Sequence, residues 1–239
     1  MFIFVLTKDT DQQIRRNKLS VTWHERFNLL PDRDRWLIPG LGMFDVFYIP
    51  QTTSSNCTVT VATMTVNALR GLESNISIPT FDQTLLLDAV GSRSWIEKTV
   101  EDGAGTTFSE FAGYLRRSLD AAGHADARIA VGKPKRRDRT SLARLRAALK
   151  TTGAKPDRLM VVVYNQGVIA GNWNGPHASA IGAYDAAEDR VLIMDVDRAR
   201  HAPYWTSTAR LHAAMLKPAP LDQGRLAGDT GGYITVRRN

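Results

Sequence analysis

The feature that constrains the fold most is a change in hydrophobic period near residue 158. Before that point apolar residues recur at helical spacing, most clearly after the capping-box pattern Thr107-Phe-Ser-Glu110. After it come short apolar runs bounded by turn residues, which are typical of buried strands. These runs are residues 159–164, 178–184, 191–194 and 233–236. The turn residues Asp185–Asp189 predict an antiparallel hairpin, so we expect an α+β protein.

The 239 residues suffice for one large domain with a substantial core. We expect a single domain over 1–239, with a helical N-terminal lobe over about 1–155 and an antiparallel sheet lobe over about 156–239. Further predicted elements are helices near 20–30, 57–70, 81–90, 141–150 and 206–215, and a strand at 129–131.

The net charge of +7 raises the question of a nucleic-acid partner. The densest basic run, Lys133–Arg139, contains no aromatic residue to stack a base, and Gly132 and Pro134 indicate a loop. We therefore favour a solvated linker and expect no nucleic-acid partner, although the charge can also attract an anionic small substrate. A non-enzymatic basic binding protein stays open as an alternative.

The N-terminal run Met1–Leu6 lacks the features of a signal peptide, and no apolar run approaches membrane-spanning length. We expect a soluble, cytoplasmic protein without a membrane partner.

Cys57 is the only cysteine, so the chain forms no intramolecular disulfide and no cysteine-rich zinc site. It begins a segment with conflicting signals. Thr58-Val-Thr-Val61 has strand propensity, whereas Cys57, Val61 and Met64 share one helical face. We predict a helix from Cys57, whose N-terminus would favour a thiolate. The alternative is that the cysteine is merely a small buried apolar residue.

His177 opens one strand of the predicted hairpin, and Asp195 ends the next. In an antiparallel pair these two positions lie side by side, where a carboxylate can orient a general-base imidazole. With Cys57 they form a candidate catalytic set, and Gln51 can offer an N–H group to an oxyanion. Taken singly, each residue is more often an ordinary residue of a sheet margin or turn. No ligand spacing indicates a metal site.

These residues resemble the phytochelatin synthases, a family of papain-like γ-glutamylcysteine transpeptidases. There, a glutamine precedes the cysteine by six residues and the following helix ends in Asn-Ala/Ser-Leu, as Gln51, Cys57 and Asn67-Ala-Leu69 do here. The family's histidine stretch is similar to Gly175-Pro-His-Ala-Ser179. Its Leu-Ile-Leu/Met-Asp-Val-x-Arg stretch, with the aspartate eighteen residues after the histidine, is similar to Leu192–Arg198.

The resemblance implies a papain-like cysteine protease fold and a ping-pong acyl transfer. Cys57 would attack the Cys–Gly bond of glutathione, leaving a γ-glutamylcysteinyl thioester that passes to water or to a second glutathione. His177 would act as general base and acid and Asp195 would orient it. Gln51 would belong to the oxyanion hole.

The resemblance covers roughly residues 45–239 and is to short bacterial-type members that consist of the catalytic domain. It implies that Arg198 binds a substrate carboxylate and that Gly175 also contacts substrate. Glutathione would be the small-molecule partner, and we consider a homodimer possible. No cofactor would be tightly bound, and any heavy metal ion would arrive as a glutathione thiolate complex.

The sequence departs from the family around the substrate. Thr58 stands where the family has glycine, which we expect to place bulk near the acyl site, and Ala180 replaces a proline. Ala199–Pro203 replaces the family's Tyr-Lys-Tyr-Pro-Pro run. A papain-like peptidase or amidase acting on another small peptide is therefore the alternative.

Overall fold

A six-stranded antiparallel sheet forms the centre of the structure, a computed structural model. The structure describes residues 43–71, 80–153, 157–171 and 173–238. All of them belong to one compact unit of the chain, Ile38–Asn239. The helix predicted near 20–30 lies outside the described residues.

The sheet has its most buried strands in the middle. Its strands are β1 (Arg128–Gly132), β2 (Arg158–Asn165), β3 (Pro176–Asp185), β4 (Arg190–Asp195), β5 (Tyr204–Ser207) and β6 (Gly232–Arg237). Their order is β1-β6-β2-β3-β4-β5, and every neighbouring pair is antiparallel. The edge strand β1 was predicted at 129–131, within the range assigned to the helical lobe, so the sheet is not confined to 156–239.

Helices cover both faces of this sheet. They are α1 (Met43–Val46), α2 (Cys57–Arg70), α3 (Gln83–Val90), α4 (Arg93–Thr99), α5 (Phe108–Ala121), α6 (Arg139–Gly153), α7 (Gln166–Ala170) and α8 (Thr208–Leu216). One face packs against α6 and α8 through a cluster that includes Leu145, Met160 and Leu211. Helix α2 contacts β2 and β3. Since burial on both faces requires apolar residues at successive positions, β2 is buried from Leu159 to Asn165.

The predicted α+β class is confirmed, and the helix that begins at Cys57 packs against an antiparallel sheet. The capping box at Thr107 and Glu110 is present. We did not predict α1, α4, α7 and β5, which are too short to show a hydrophobic period. No helix among the described residues is both long and apolar enough to cross a membrane.

The strand-like sequence of α2 is helical because its threonines are satisfied within the helix. The hydroxyls of Thr60, Thr63 and Thr65 donate to the carbonyls of Asn56, Val59 and Val61, at 3.1, 2.9 and 2.7 Å. Every residue from Thr58 to Leu69 is buried. Packing on all sides therefore overrides the strand propensity of these β-branched residues.

Asn67 joins the end of α2 to the chain segment before α3. Its Nδ2 donates to the carbonyl of Phe81 at 2.8 Å, and its Oδ1 accepts from the Phe81 N–H at 3.0 Å. The asparagine of the Asn-Ala-Leu motif thus has a structural role: it connects the end of α2 to the segment that leads into α3.

Thr58 points into the helical layer. It is 3 % exposed, and its Oγ1 accepts a hydrogen bond from Trp95 Nε1 at 3.3 Å and lies 3.4 Å from Thr106 Oγ1. The Trp95 ring is fully buried and stacks on Tyr114 at a centroid distance of 4.7 Å. Our expectation that this side chain adds bulk near the acyl site was therefore wrong, because its contacts lie with α4 and the segment before α5.

Replacing Thr58 with glycine, the residue that the family has here, should destabilise this protein. The change leaves the Trp95 N–H unpaired and puts glycine into a helix, for an expected loss of about 2–3 kcal/mol in the free energy of unfolding. Urea unfolding measures this loss. Thr58→Ser keeps the hydroxyl and should cost less than half as much; equal costs would contradict the assigned hydrogen bond.

Candidate active site

The ends of β3 and β4 bring His177 and Asp195 together. Ser179 pairs with Asp195 across the two strands, and His177 lies two residues earlier on the same side of β3. His177 Nε2 and Asp195 Oδ1 are 2.8 Å apart, and the two side chains are 4 % and 0 % exposed. The Tyr164 ring meets the imidazole edge-on at 5.9 Å. The contact predicted from the hairpin is therefore present.

The buried Asp195 carboxylate is matched by donors on both oxygens. Oδ1 also accepts the N–H of Asp197 at 3.0 Å, and Oδ2 accepts Gln166 Nε2 at 3.2 Å. The Tyr48 hydroxyl donates to the Asp195 carbonyl. Burial disfavours the carboxylate, but His177 and the Asp197 N–H outweigh burial and lower the pKa of Asp195. Asp195 is consequently held ionised and fixed in orientation.

The sequence analysis missed Gln166. It is fully buried, and its backbone N–H donates to the Gly175 carbonyl at 2.9 Å. It begins α7, which has only five residues, at the end of a strand. No motif marks such a position, and only its contact with Asp195 identifies it.

Cys57 is the first residue of α2, and its side chain is close enough to His177 to raise the pKa of the imidazole. Because Nε2 of His177 is bonded to Asp195, Nδ1 is the ring nitrogen left for the thiol. The side chain is half-buried, not enclosed as a purely structural cysteine would be. The structure thus assembles cysteine, imidazole and carboxylate in series.

The loop before Cys57 is fixed to both the sheet and the helical layer. The Gln51 N–H donates to the Val196 carbonyl at 2.8 Å, directly after Asp195. On the other side, the Thr53 hydroxyl donates to the Thr99 carbonyl at 2.6 Å and that of Ser55 to the Gly103 carbonyl at 2.8 Å. These bonds place the start of α2 at the sheet edge.

Asn56 occupies the N-cap position of α2 without capping the helix through its side chain. Its Oδ1 instead accepts the N–H groups of Thr52 and Thr53 at 3.2 and 3.3 Å. Its Nδ2 donates to Gln83 Oε1 at 2.6 Å. The Asn56 side chain therefore leaves the first backbone N–H groups of α2 without a hydrogen bond from it. These N–H groups lie at the end of the helix that carries Cys57.

The electrostatics favour a charged imidazole. Burial alone would lower the pKa of His177, but the Asp195 carboxylate and the Cys57 side chain outweigh it and raise the pKa to about 10. His177 is then protonated at neutral pH. A protonated imidazole beside the Cys57 side chain can donate a proton to a leaving group.

Gln51 and Arg198 line one cavity of about 280 Å³ beside this site, together with Glu101 and Arg200. The Gln51 side-chain oxygen is buried and has no hydrogen-bond partner among the described residues. The Arg198 guanidinium lies over the Tyr48 ring at 5.5 Å. None of the ion pairs between described residues involves Arg198, whereas Arg200 approaches Asp197 at 3.5 Å.

Gly175 is buried outside that cavity. A Cβ atom there would lie 2.4 Å from the Trp173 ring. A larger residue at position 175 would require the Trp173 ring to shift, and a contact between Gly175 and substrate stays a prediction. Among the described residues, no group of three or more His, Cys, Asp or Glu side chains is arranged to hold a metal ion.

Two individual proteins are similar to parts of this chain. Glutathione gamma-glutamylcysteinyltransferase 1 of Arabidopsis thaliana is 34 % identical over 79 residues, which are 33 % of this chain and only 15 % of the Arabidopsis protein. The avirulence protein AvrPphB of Pseudomonas, a solved structure, aligns with 81 % of this chain and 98 % of its own. Its sequence identity is 11 % and its TM-score 0.34, which is too low to establish a common fold.

The family assignment depends on a longer match. The family model described as phytochelatin synthase matches residues 42–225, which include Cys57, His177 and Asp195. This range contains most of the described helices and strands. The chain belongs to the phytochelatin synthase family.

Proposed function

We propose that the protein is a thiol acyltransferase or peptidase that cleaves the Cys–Gly bond of glutathione through a thioester on Cys57. The observation that carries this proposal is the series Cys57, His177 and Asp195 at the sheet edge, in a chain of this family. The printed name of the Arabidopsis relative, a glutathione gamma-glutamylcysteinyltransferase, supports the choice of substrate.

In the first half-reaction the Cys57 thiolate attacks the carbonyl carbon of the Cys–Gly bond. When the C–N bond breaks, the His177 imidazolium gives its proton to the departing glycine amine. A γ-glutamylcysteinyl thioester and a neutral imidazole remain. In the second half-reaction that imidazole takes a proton from water or from the amine of a second glutathione as it attacks the thioester. The Cys57 thiolate leaves, and the imidazolium is restored.

Two N–H donors would stabilise the oxyanion of each step. The backbone N–H of Cys57 is at the N-terminus of α2, where helix N–H groups lack intrahelical partners. The Gln51 side-chain amide can supply the second donor. Its loop is fixed to Val196, while its amide oxygen has no bond to a described residue that would hold it in another orientation.

The cavity beside the site suits a small anionic peptide. Arg198 is free of ion pairs with described residues and can bind a substrate carboxylate bidentately. A volume of about 280 Å³ is at the small end of ligand pockets and suits a short peptide.

A different small peptide is the second candidate substrate. Ala199 and Arg200, which replace residues of the family's Tyr-Lys-Tyr-Pro-Pro run, both line this cavity. The substitutions lie where substrate would bind, so they alter the walls of the pocket and leave the proposed catalytic residues unchanged.

Incubation with glutathione should yield free glycine and a γ-glutamylcysteinyl adduct on Cys57, detected by amino-acid analysis and intact-protein mass spectrometry. Cys57→Ala should give neither. A tripeptide with an α-linked glutamate is the matched substrate control, since it differs only in the linkage.

Equal cleavage of the α-linked and γ-linked tripeptides would favour the general peptidase. If the wild-type protein yields neither free glycine nor adduct and is indistinguishable from Cys57→Ala, the result contradicts glutathione as the substrate.

Asp195→Asn should shift the basic limb of the pH profile of kcat/KM to lower pH. Because the carboxylate raises the pKa of His177, its loss lowers that pKa, and the imidazolium that protonates glycine disappears at lower pH. Activity at neutral pH should fall by about 100-fold or more. Asp185→Asn, the same change at the turn end of the β3–β4 hairpin, should leave the profile in place. An unmoved basic limb in Asp195→Asn would contradict the proposed role of the carboxylate.

A further inference from the structure

A larger cavity lies away from Cys57, between the end of β1, the loop that follows it and the first turns of α6. Its volume is about 690 Å³, within the range of small-molecule pockets. It shares no lining residue with the Arg198 cavity and includes none of Cys57, His177 and Asp195. The proposed reaction leaves it without a role.

Positive charge dominates this cavity. Lys133, Lys135, Arg136 and Arg144 line it, against a single carboxylate, that of Asp138. Lys133 has a partner, since it lies 3.2 Å from Asp229. The other three cationic side chains form no ion pair with any residue that the structure describes. Three cationic groups without an ion pair, against one carboxylate in the same concave space, favour a ligand with several negative charges.

The N-terminus of α6, a helix of 15 residues, adds hydrogen-bond donors to the same cavity. Asp138 Oδ1 accepts the Ser141 N–H at 2.7 Å, so the carboxylate is engaged as the helix cap. The Thr140 and Ser141 hydroxyls line the cavity, and Ser141 Oγ is 2.8 Å from Nε2 of the buried His212. Helix N–H groups, hydroxyls and guanidinium groups are the donors that phosphate groups prefer.

Part of the cavity lining is apolar or aromatic. The Tyr233 ring packs flat against Gly132, where a Cβ atom would lie 2.1 Å from the ring. Val131 and Pro134 complete this side. The wall suits the organic portion of a phosphate ester, while the basic side suits the phosphates.

We infer that this cavity binds a small molecule carrying a chain of two or three phosphates, through Lys135, Arg136, Arg144 and the N-terminus of α6. The shared chemistry is the polyphosphate chain, whether inorganic or part of a nucleotide. A single-stranded nucleic acid fits less well, because the loop Lys133–Asp138 offers no aromatic residue on which a base could stack.

Isothermal titration calorimetry with inorganic tripolyphosphate tests the inference on the full chain, with ATP, AMP and a single-stranded oligonucleotide as further arms. Tripolyphosphate should bind at one site per chain, with an affinity that falls as salt rises. ATP tighter than tripolyphosphate identifies a nucleotide ligand, and the reverse order identifies free polyphosphate. Both orders support the site, and AMP should bind weakest.

The loop provides a matched control. The double variant Arg136→Gln/Arg144→Gln should weaken tripolyphosphate binding about tenfold or more. Arg137→Gln/Arg139→Gln removes the same number of charges nearby in the chain, at positions that do not line the cavity, and should change tripolyphosphate binding little. Equal weakening by both pairs, oligonucleotide binding tighter than that of tripolyphosphate, or no saturable binding would each overturn the inference. All four positions are exposed, and circular dichroism checks that both variants fold.

Discussion

The buried negative charge of Asp195 is the constraint on which the rest of this site depends. An ionised carboxylate without exposure to water is tolerated only if its oxygens are hydrogen-bonded and its charge is matched. His177, the Asp197 N–H and Gln166 together meet that requirement. The imidazole consequently gains a proton, and the protonated ring lies beside Cys57. The burial of the Asp195 carboxylate thus fixes the orientation of the His177 imidazole and favours its protonated form.

The same edge of the sheet organises the remaining parts. The Gln51 N–H bonds the residue after Asp195, which brings the start of α2 to the imidazole and Gln51 to the cavity that Arg198 lines. Meanwhile the polar side chains of the 52–56 loop hold α2 against the helical layer. The site therefore combines a rigid sheet with a short loop bonded on both sides, an arrangement that keeps reactive groups in place without substrate.

Much of this arrangement follows from sequence patterns, and the parts that do not have physical reasons. The apolar runs of β3 and β4 with a polar turn predict the His177–Asp195 contact, because antiparallel register leaves little freedom. Neither the role of Gln166 nor helix α4 was predicted, because the segments that contain them are too short to show a hydrophobic period. The position of the Thr58 side chain was predicted wrongly because the sequence does not tell which side of a helix that is buried all round faces the acyl site. In the structure the Thr58 hydroxyl contacts Trp95.

The central claim is that Asp195 and Cys57 keep the His177 imidazole protonated at neutral pH. Nitrogen-15 NMR of labelled histidines against pH measures this directly, with His177→Gln used to assign the signal. The account predicts that both ring nitrogens remain protonated at about pH 8, where an ordinary histidine is neutral. A His177 signal that titrates near the ordinary value of about 6.5, or below it, would contradict the account.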